Sequence, residues 1–171
     1  NPNLAEFAGR IDADSHDVAG NRPLADEDGH GTAVAATAAA ARNDAGHMGV
    51  AFDATIISYR ADAPGTCASE DGCDFYDSAI AHGVNDARLA GAKVINLSLG
   101  GSPPGTQLLS AMRPAVDAGI ILVISAGNDG EDPAKGNDAD PFALIPAQNF
   151  RGRVIIAGSV GADNGAGGTN L

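Results

Sequence analysis

Three short, largely apolar runs constrain the fold of this chain more than anything else in it: Lys93–Leu99, Ile120–Ser125 and Arg153–Ser159. Each is rich in valine, isoleucine or leucine, and each is short enough to be a strand rather than a helix. The first two run directly into small residues, Gly100-Gly101 and Ala126-Gly127. Between and before them the spacing turns helical. Residues 77–90 place Ile80, Val84 and Ala87 on one face, with Gly91 as the stop. A second helix is predicted over about 106–118, with Pro114 as a kink or break and Gly119 as its end. Upstream, Thr55–Arg60 reads as a strand from its β-branched and aromatic content.

Strand, helix, strand, helix, strand predicts an α/β domain, three layers deep, with a parallel sheet and right-handed crossovers. Runs this apolar predict a sheet covered on both faces. Ligands of such sheets bind beyond the carboxyl ends of the strands. That points to Ser98–Gly101 and Ser125–Gly130. The 171 residues suit one domain, with no internal repeat or linker. With aromatics at 4% and no tryptophan, the core must be built from alanine, valine, isoleucine and leucine.

The net charge of −12 argues against a nucleic-acid partner, which needs a basic patch. No apolar stretch reaches the length of a membrane span, and no signal peptide opens the chain at Asn1-Pro2-Asn3. Cys67 and Cys73 flank a polar loop within 61–76. They suit a small-loop disulfide in an oxidising compartment, or two free thiols in a cytosolic one. Without neighbouring histidines they make a poor zinc site. No convincing calcium ligand set is present, and no cofactor is expected.

The residues with chemical promise fall in three places. His30, between Gly29 and Gly31, opens an alanine-rich helix predicted over 30–42 and ended by Asn43-Asp44-Ala45-Gly46. An imidazole at a helix start feels a field that favours its neutral, proton-accepting form, whereas Asp26 and Asp28 push the other way. Asn128 follows a buried strand, where its amide can donate to a developing negative oxygen or simply form a turn. Ser98, Leu99, Gly100 and Gly101 end a strand whose backbone can pair with an extended peptide. A nucleotide site is disfavoured, because no phosphate-binding glycine loop or its lysine occurs.

Taken together, these segments resemble the subtilisin-like serine peptidases, or subtilases. His30-Gly31-Thr32-Ala33-Val34-Ala35 is similar to the family's histidine motif, with Ala33 where a second histidine is frequent. Val94–Gly101 resembles the strand that lines the substrate cleft, and Ser125–Gly130 the oxyanion-hole segment. The resemblance implies that His30 is the catalytic base and Asn128 the oxyanion donor. It implies too that Ser98–Gly101 with Ala126 and Gly127 hold a polypeptide substrate. Ile145-Pro146-Ala147 falls where the family often carries a cis-proline beside the specificity pocket. The Ala-Arg-Asn run, Gly49–Ala54 and the paired cysteines look like subtilases found as bacterial autotransporter passengers, which implies a secreted or cell-surface protein.

The same family pattern has an aspartate in an Asp-Ser/Thr-Gly turn and a serine in a Gly-Thr-Ser motif. Asn1-Pro2-Asn3-Leu4 resembles the segment that follows the aspartate, and Asp12, Asp14 and Asp17 come too late to replace it. These three are expected to be turn formers on an acidic surface. Gly168-Thr169-Asn170-Leu171 is a near-match to the serine motif without a nucleophile. The expectation is therefore the central part of a peptidase catalytic domain over 1–171, inactive by itself. A trimmed sheet is expected to self-associate through exposed strand edges. The alternative is a non-catalytic peptide-binding module of the same fold.

Overall fold

The computed structural model describes residues 3–44, 46–68, 72–128 and 139–158. They belong to two compact units, Asn1–Ala90 and Gly91–Leu171.

In the first unit the alanine-rich segment forms helix α1 (His30–Ala39), shorter than the predicted 30–42. The helix ends because Ala40 turns to an extended conformation (ψ 144°) and because another stretch of backbone takes its last carbonyls. Gly49, Val50 and Ala51 donate to the carbonyls of Ala40, Thr37 and Ala38 at 3.0, 3.2 and 2.8 Å. Arg10 completes this C-terminal cap. Its guanidinium donates to the carbonyls of Ala39 (2.6 Å), Phe52 (2.8 Å) and Ala54 (3.3 Å), and to that of Glu6. Groups left orphaned at a helix end are thus met by a close backbone and one charged fork. The alanines are small because that backbone approaches so closely. Ala36 and Ala40 bury against Phe7, with Ile11, Ala35 and Ile56 packed around them.

Helix α2 (Asp77–Leu89) matches the predicted 77–90 and buries Ile80, Val84 and Ala87 as expected. Gly83 lets it approach β2: a Cβ there would sit 3.4 Å from Tyr59 Cβ. The predicted strand Thr55–Arg60 contracts to a two-residue ladder. β1 (His16–Asp17) pairs in parallel with β2 (Tyr59–Arg60), and Ile56 makes only an isolated bridge to Ile11. The reason lies in the partner. Asp12 accepts from the Asp14 N–H at 2.9 Å, and this turn leaves β1 no room to extend backwards.

Asp12 is therefore a turn former; Asp17 also accepts from an N–H two residues on, but it is buried and not on the surface. Its side chain is 1% exposed and accepts from the Arg22 guanidinium at 2.7 and 3.2 Å and from the N–H groups of Ala19 and Arg22. Arg22 also binds Asp62 (2.8 Å). Asp62 in turn accepts from Arg60 (2.9 Å), and Arg60 reaches Glu27 (2.6 Å). The Arg22 hydrogen bond holds the Asp17 carboxyl far below the usual carboxylate range. Its contribution to stability is therefore whole above about pH 4 and is lost as pH falls from there toward the folded-state value. Asp17→Asn is expected to cost about 3 kcal/mol at neutral pH, read from urea unfolding. It should also flatten the loss of stability below pH 4. An unchanged acid limb in the variant would show that this pair does not set it.

In the second unit β3 (Val94–Leu97), β4 (Ile121–Ser125) and β5 (Val154–Ala157) form a parallel sheet in that order, with Asn96 opposite Val123 and Val123 opposite Ile155. These strands fall inside the predicted runs; Ser159 lies outside the described residues. Parallel neighbours need crossovers. Helix α3 (Thr106–Asp117) joins β3 to β4, and helix α4 (Pro141–Asn149) precedes β5. Pro114 sits within α3 without breaking it, and Leu108, Met112, Ala115 and Val116 form its buried stripe. The apolar runs had predicted two covered faces. Ile95, Leu97, Leu122 and Ile124 are buried on one face, and on the other Val94 is 57% and Ile155 55% exposed.

Helix α4 was not legible. Its cap is Asp140, whose side chain accepts from the Phe142 N–H at 3.0 Å, and Pro141 occupies the first turn, where a missing N–H does no harm. No cis peptide bond occurs among the described residues, and Pro146 lies inside α4. The expected cis-proline is thus corrected to a helical proline, because the Asp140-Pro141 start carries the helix through it.

Candidate active site

His30 is the first residue of α1, and its imidazole is exposed. Gly29 delivers it with φ 91°, a left-handed value that glycine tolerates. The turn is fastened by a residue that sequence reasoning had weighed only as a nearby charge. Asp26 accepts from the N–H groups of Gly29 (2.8 Å) and Thr32 (2.7 Å) and from the Thr32 hydroxyl. It does the work of an N-cap from three residues before the cap position. Burial pushes the Asp26 carboxyl up. The Thr32 hydroxyl and the two N–H donors together outweigh that and leave it below its ordinary value. Farther back, Arg60 holds the approach to His30 through the Pro23 carbonyl (3.1 Å) and Glu27. No local spacing signals Arg60 or Arg22, because their partners lie up to 40 residues away.

In the second unit the other proposed residues cluster beyond the carboxyl ends of β3 and β4. Ser98 and Leu99 are half-buried, and Gly100 and Gly101 exposed; Ala126 and Gly127 are half-buried, and Asn128 exposed. Asp129 and Gly130 lie outside the described residues. The two segments are linked to each other. Ser125 Oγ donates to the Leu99 carbonyl at 2.8 Å. Asp140 takes the Gly101 N–H at 2.8 Å and gives its own N–H to the Ala126 carbonyl at 2.7 Å. A Cβ on Gly100 would lie 2.7 Å from an Asp140 carboxylate oxygen, and one on Gly127 would lie 2.8 Å from Asp140 Cβ. Sequence reading missed Asp140 altogether, although Asp before Pro at a helix start was a usable signal.

Cys67 and Cys73 are joined by a disulfide in the first unit. Among the described residues no cluster of three or more histidine, cysteine or acidic side chains is arranged to hold a metal ion. Nor is any described helix long and apolar enough to cross a membrane.

A profile of the Subtilase family, Peptidase S8, matches residues 1–166. The chain belongs to the subtilase family. Among curated relatives, subtilisin DY of Bacillus licheniformis is 36% identical over 124 residues, covering 72% of this subtilase chain and 43% of the relative. The major intracellular serine protease of Bacillus subtilis (strain 168) is 34% identical over 137 residues, covering 80% and 39%. Among solved structures, sphericase superposes with a TM-score of 0.64 at 30% identity, covering 76% of this chain and 43% of that one. The subtilase chain spans less than half the length of each of these. Its fold class is accordingly α/β and subtilisin-like, in incomplete form.

Proposed function

We propose that residues 1–171 are the central part of a serine endopeptidase catalytic domain that hydrolyses peptide bonds by acyl transfer. The observation that carries this reading is the family match over residues 1–166, which spans His30, Ser98–Gly101 and Ala126–Asn128 together. In the longer protein His30 takes the proton of a serine supplied by chain outside these residues, then gives it to the leaving amine. Asn128 donates to the tetrahedral oxyanion. Ser98, Leu99, Gly100 and Gly101, with Ala126 and Gly127, hold the polypeptide on either side of the scissile bond. Supporting this, His30 and Asn128 are both exposed, and the two proposed substrate segments are tied together at neighbouring strand ends.

The 171-residue chain by itself is proposed to lack turnover, since no serine in it matches the nucleophile motif and no aspartate the triad turn. A chromogenic peptide assay on this chain beside the longer protein tests both statements. Turnover is expected only from the longer protein, and a serine-directed inhibitor should abolish it. Inhibitor-sensitive turnover by the short chain would overturn the proposal. The disulfide fits a secreted or cell-surface protein, autotransporter passengers included. Self-association of the isolated chain through exposed strand edges is supported by Val94 and Ile155, exposed on the outer strands β3 and β5, and is to be read by light scattering at increasing concentration. A monomer throughout would refute that part.

A further inference from the structure

We infer that Asp140 is a positioning residue that locks the proposed substrate-binding edge to the proposed oxyanion turn. The inference rests on the peptidase reading above. Asp140 is 8% exposed, and among the described residues its hydrogen bonds all go to backbone. One oxygen accepts from the Gly101 N–H at 2.8 Å, on the segment after β3. The other accepts from the Phe142 N–H at 3.0 Å and caps α4. Its own N–H donates to the Ala126 carbonyl at 2.7 Å, on the segment after β4.

A cap alone does not need this arrangement. Capping uses one oxygen, and serine or asparagine serves as well as aspartate. The second oxygen instead fixes a chain segment 39 residues away. Two glycines make room for it: side chains at Gly100 or Gly127 would fall 2.7 and 2.8 Å from Asp140 atoms, inside van der Waals contact. A buried carboxylate between two glycine-bearing loops is a rigid spacer of fixed length. Hydrogen bonds to an ionised acceptor are stronger than neutral ones, so the loops hold their separation while a peptide enters and leaves. Catalysis needs that separation kept to a fraction of an ångström, because the oxyanion donor must meet a bond held by the other segment.

Asparagine separates the two duties. It caps a helix well but offers a single acceptor oxygen, so the Gly101 link and the Phe142 cap cannot both survive. Serine caps too, and is too short to reach Gly101. In the longer protein, Asp140→Asn and Asp140→Ser are each expected to raise KM for an extended peptide about tenfold. For a small ester that does not reach the Ser98–Gly101 edge the loss in kcat/KM should be clearly smaller, so that the effect grows with the length of the substrate. Peptide affinity is also measured by titration in a His30→Ala background, where turnover cannot interfere, and the same tenfold weakening is expected. In the unsubstituted 171-residue chain, the Gly101 amide proton should be protected from hydrogen exchange, a result independent of whether any variant folds. Equal losses on long and short substrates would make Asp140 merely structural and overturn the inference. So would unchanged binding, a Gly101 amide that exchanges freely, or a loss confined to substrates with basic side chains, which would make Asp140 a substrate contact. Failure of the peptidase reading looks different: His30→Ala would then leave turnover intact, whatever Asp140 does.

Discussion

Replacing His30 by alanine in the longer protein that carries this chain is expected to lower kcat for peptide hydrolysis on the order of a million-fold, the scale known for removing the base of a subtilisin triad. In the proposed mechanism the imidazole transfers a proton, which happens only on the way to and from the transition state. KM should therefore move little while kcat collapses. The helix should survive the change, because Asp26 fastens the turn through the N–H groups of Gly29 and Thr32, which the substitution leaves in place. Thr37→Ala, an exposed position on the same helix, serves as the control and should stay within about twofold of the parent. Some hydrolysis should remain above that in water, because Asn128 and the binding edge are left in place. A His30→Ala protein retaining more than a tenth of its kcat would remove the histidine from the role of base.

The second large effect concerns folding. Gly49→Ala is expected to destabilise the protein by at least about 3 kcal/mol, enough to remove much of the stability of a typical domain. An added Cβ would fall 2.3 Å from the Ala40 nitrogen and 2.5 and 2.6 Å from the nitrogen and Cα of Ala39. All three are backbone atoms, so no rotamer change relieves the overlap. Only separation of the 49–51 strip from α1 can, and that breaks the hydrogen bonds from Gly49, Val50 and Ala51 to the helix carbonyls. Those carbonyls would then lie at a helix end without partners. Val50→Ala, at a side chain 90% exposed, should change stability by less than about 0.5 kcal/mol. Urea unfolding of the two variants side by side decides the matter. A Gly49→Ala protein within about 1 kcal/mol of the parent would mean the strip does not lie so close.

What could be read from the sequence, and what could not, follows the range of the interactions. Helix α2 and the three strands of the second unit carry their signal locally, in the spacing of Ile80, Val84 and Ala87 or in runs such as Ile121–Ser125. His30 and Asn128 stood out because short motifs surround them. Arg10, Arg60 and Asp140 did not, since each holds groups brought up from elsewhere in the chain, and Asp17 did not although its partners Ala19 and Arg22 are close by. A scattered aspartate in a polar stretch looks like surface, and only its pairing with Arg22 shows Asp17 to be interior. The strand Thr55–Arg60 was overextended because propensity says nothing of a partner's length, and β1 is two residues long. Helix α4 was hidden by its two prolines, one of which starts the helix while the other is simply tolerated within it.

The parallel pairing of β1 with β2 also orders events during synthesis. Ser58 reaches back 43 residues to Ser15, beside the ladder that closes the first unit. At roughly 5–20 residues per second on the ribosome, Phe7 and Ile11 emerge several seconds before Ile56, one of the side chains that covers them. A nascent chain thus spends that interval with Phe7 and Ile11 lacking one of the side chains that cover them. Slowing translation between residues 20 and 55 would lengthen that exposure, and speeding it would shorten it.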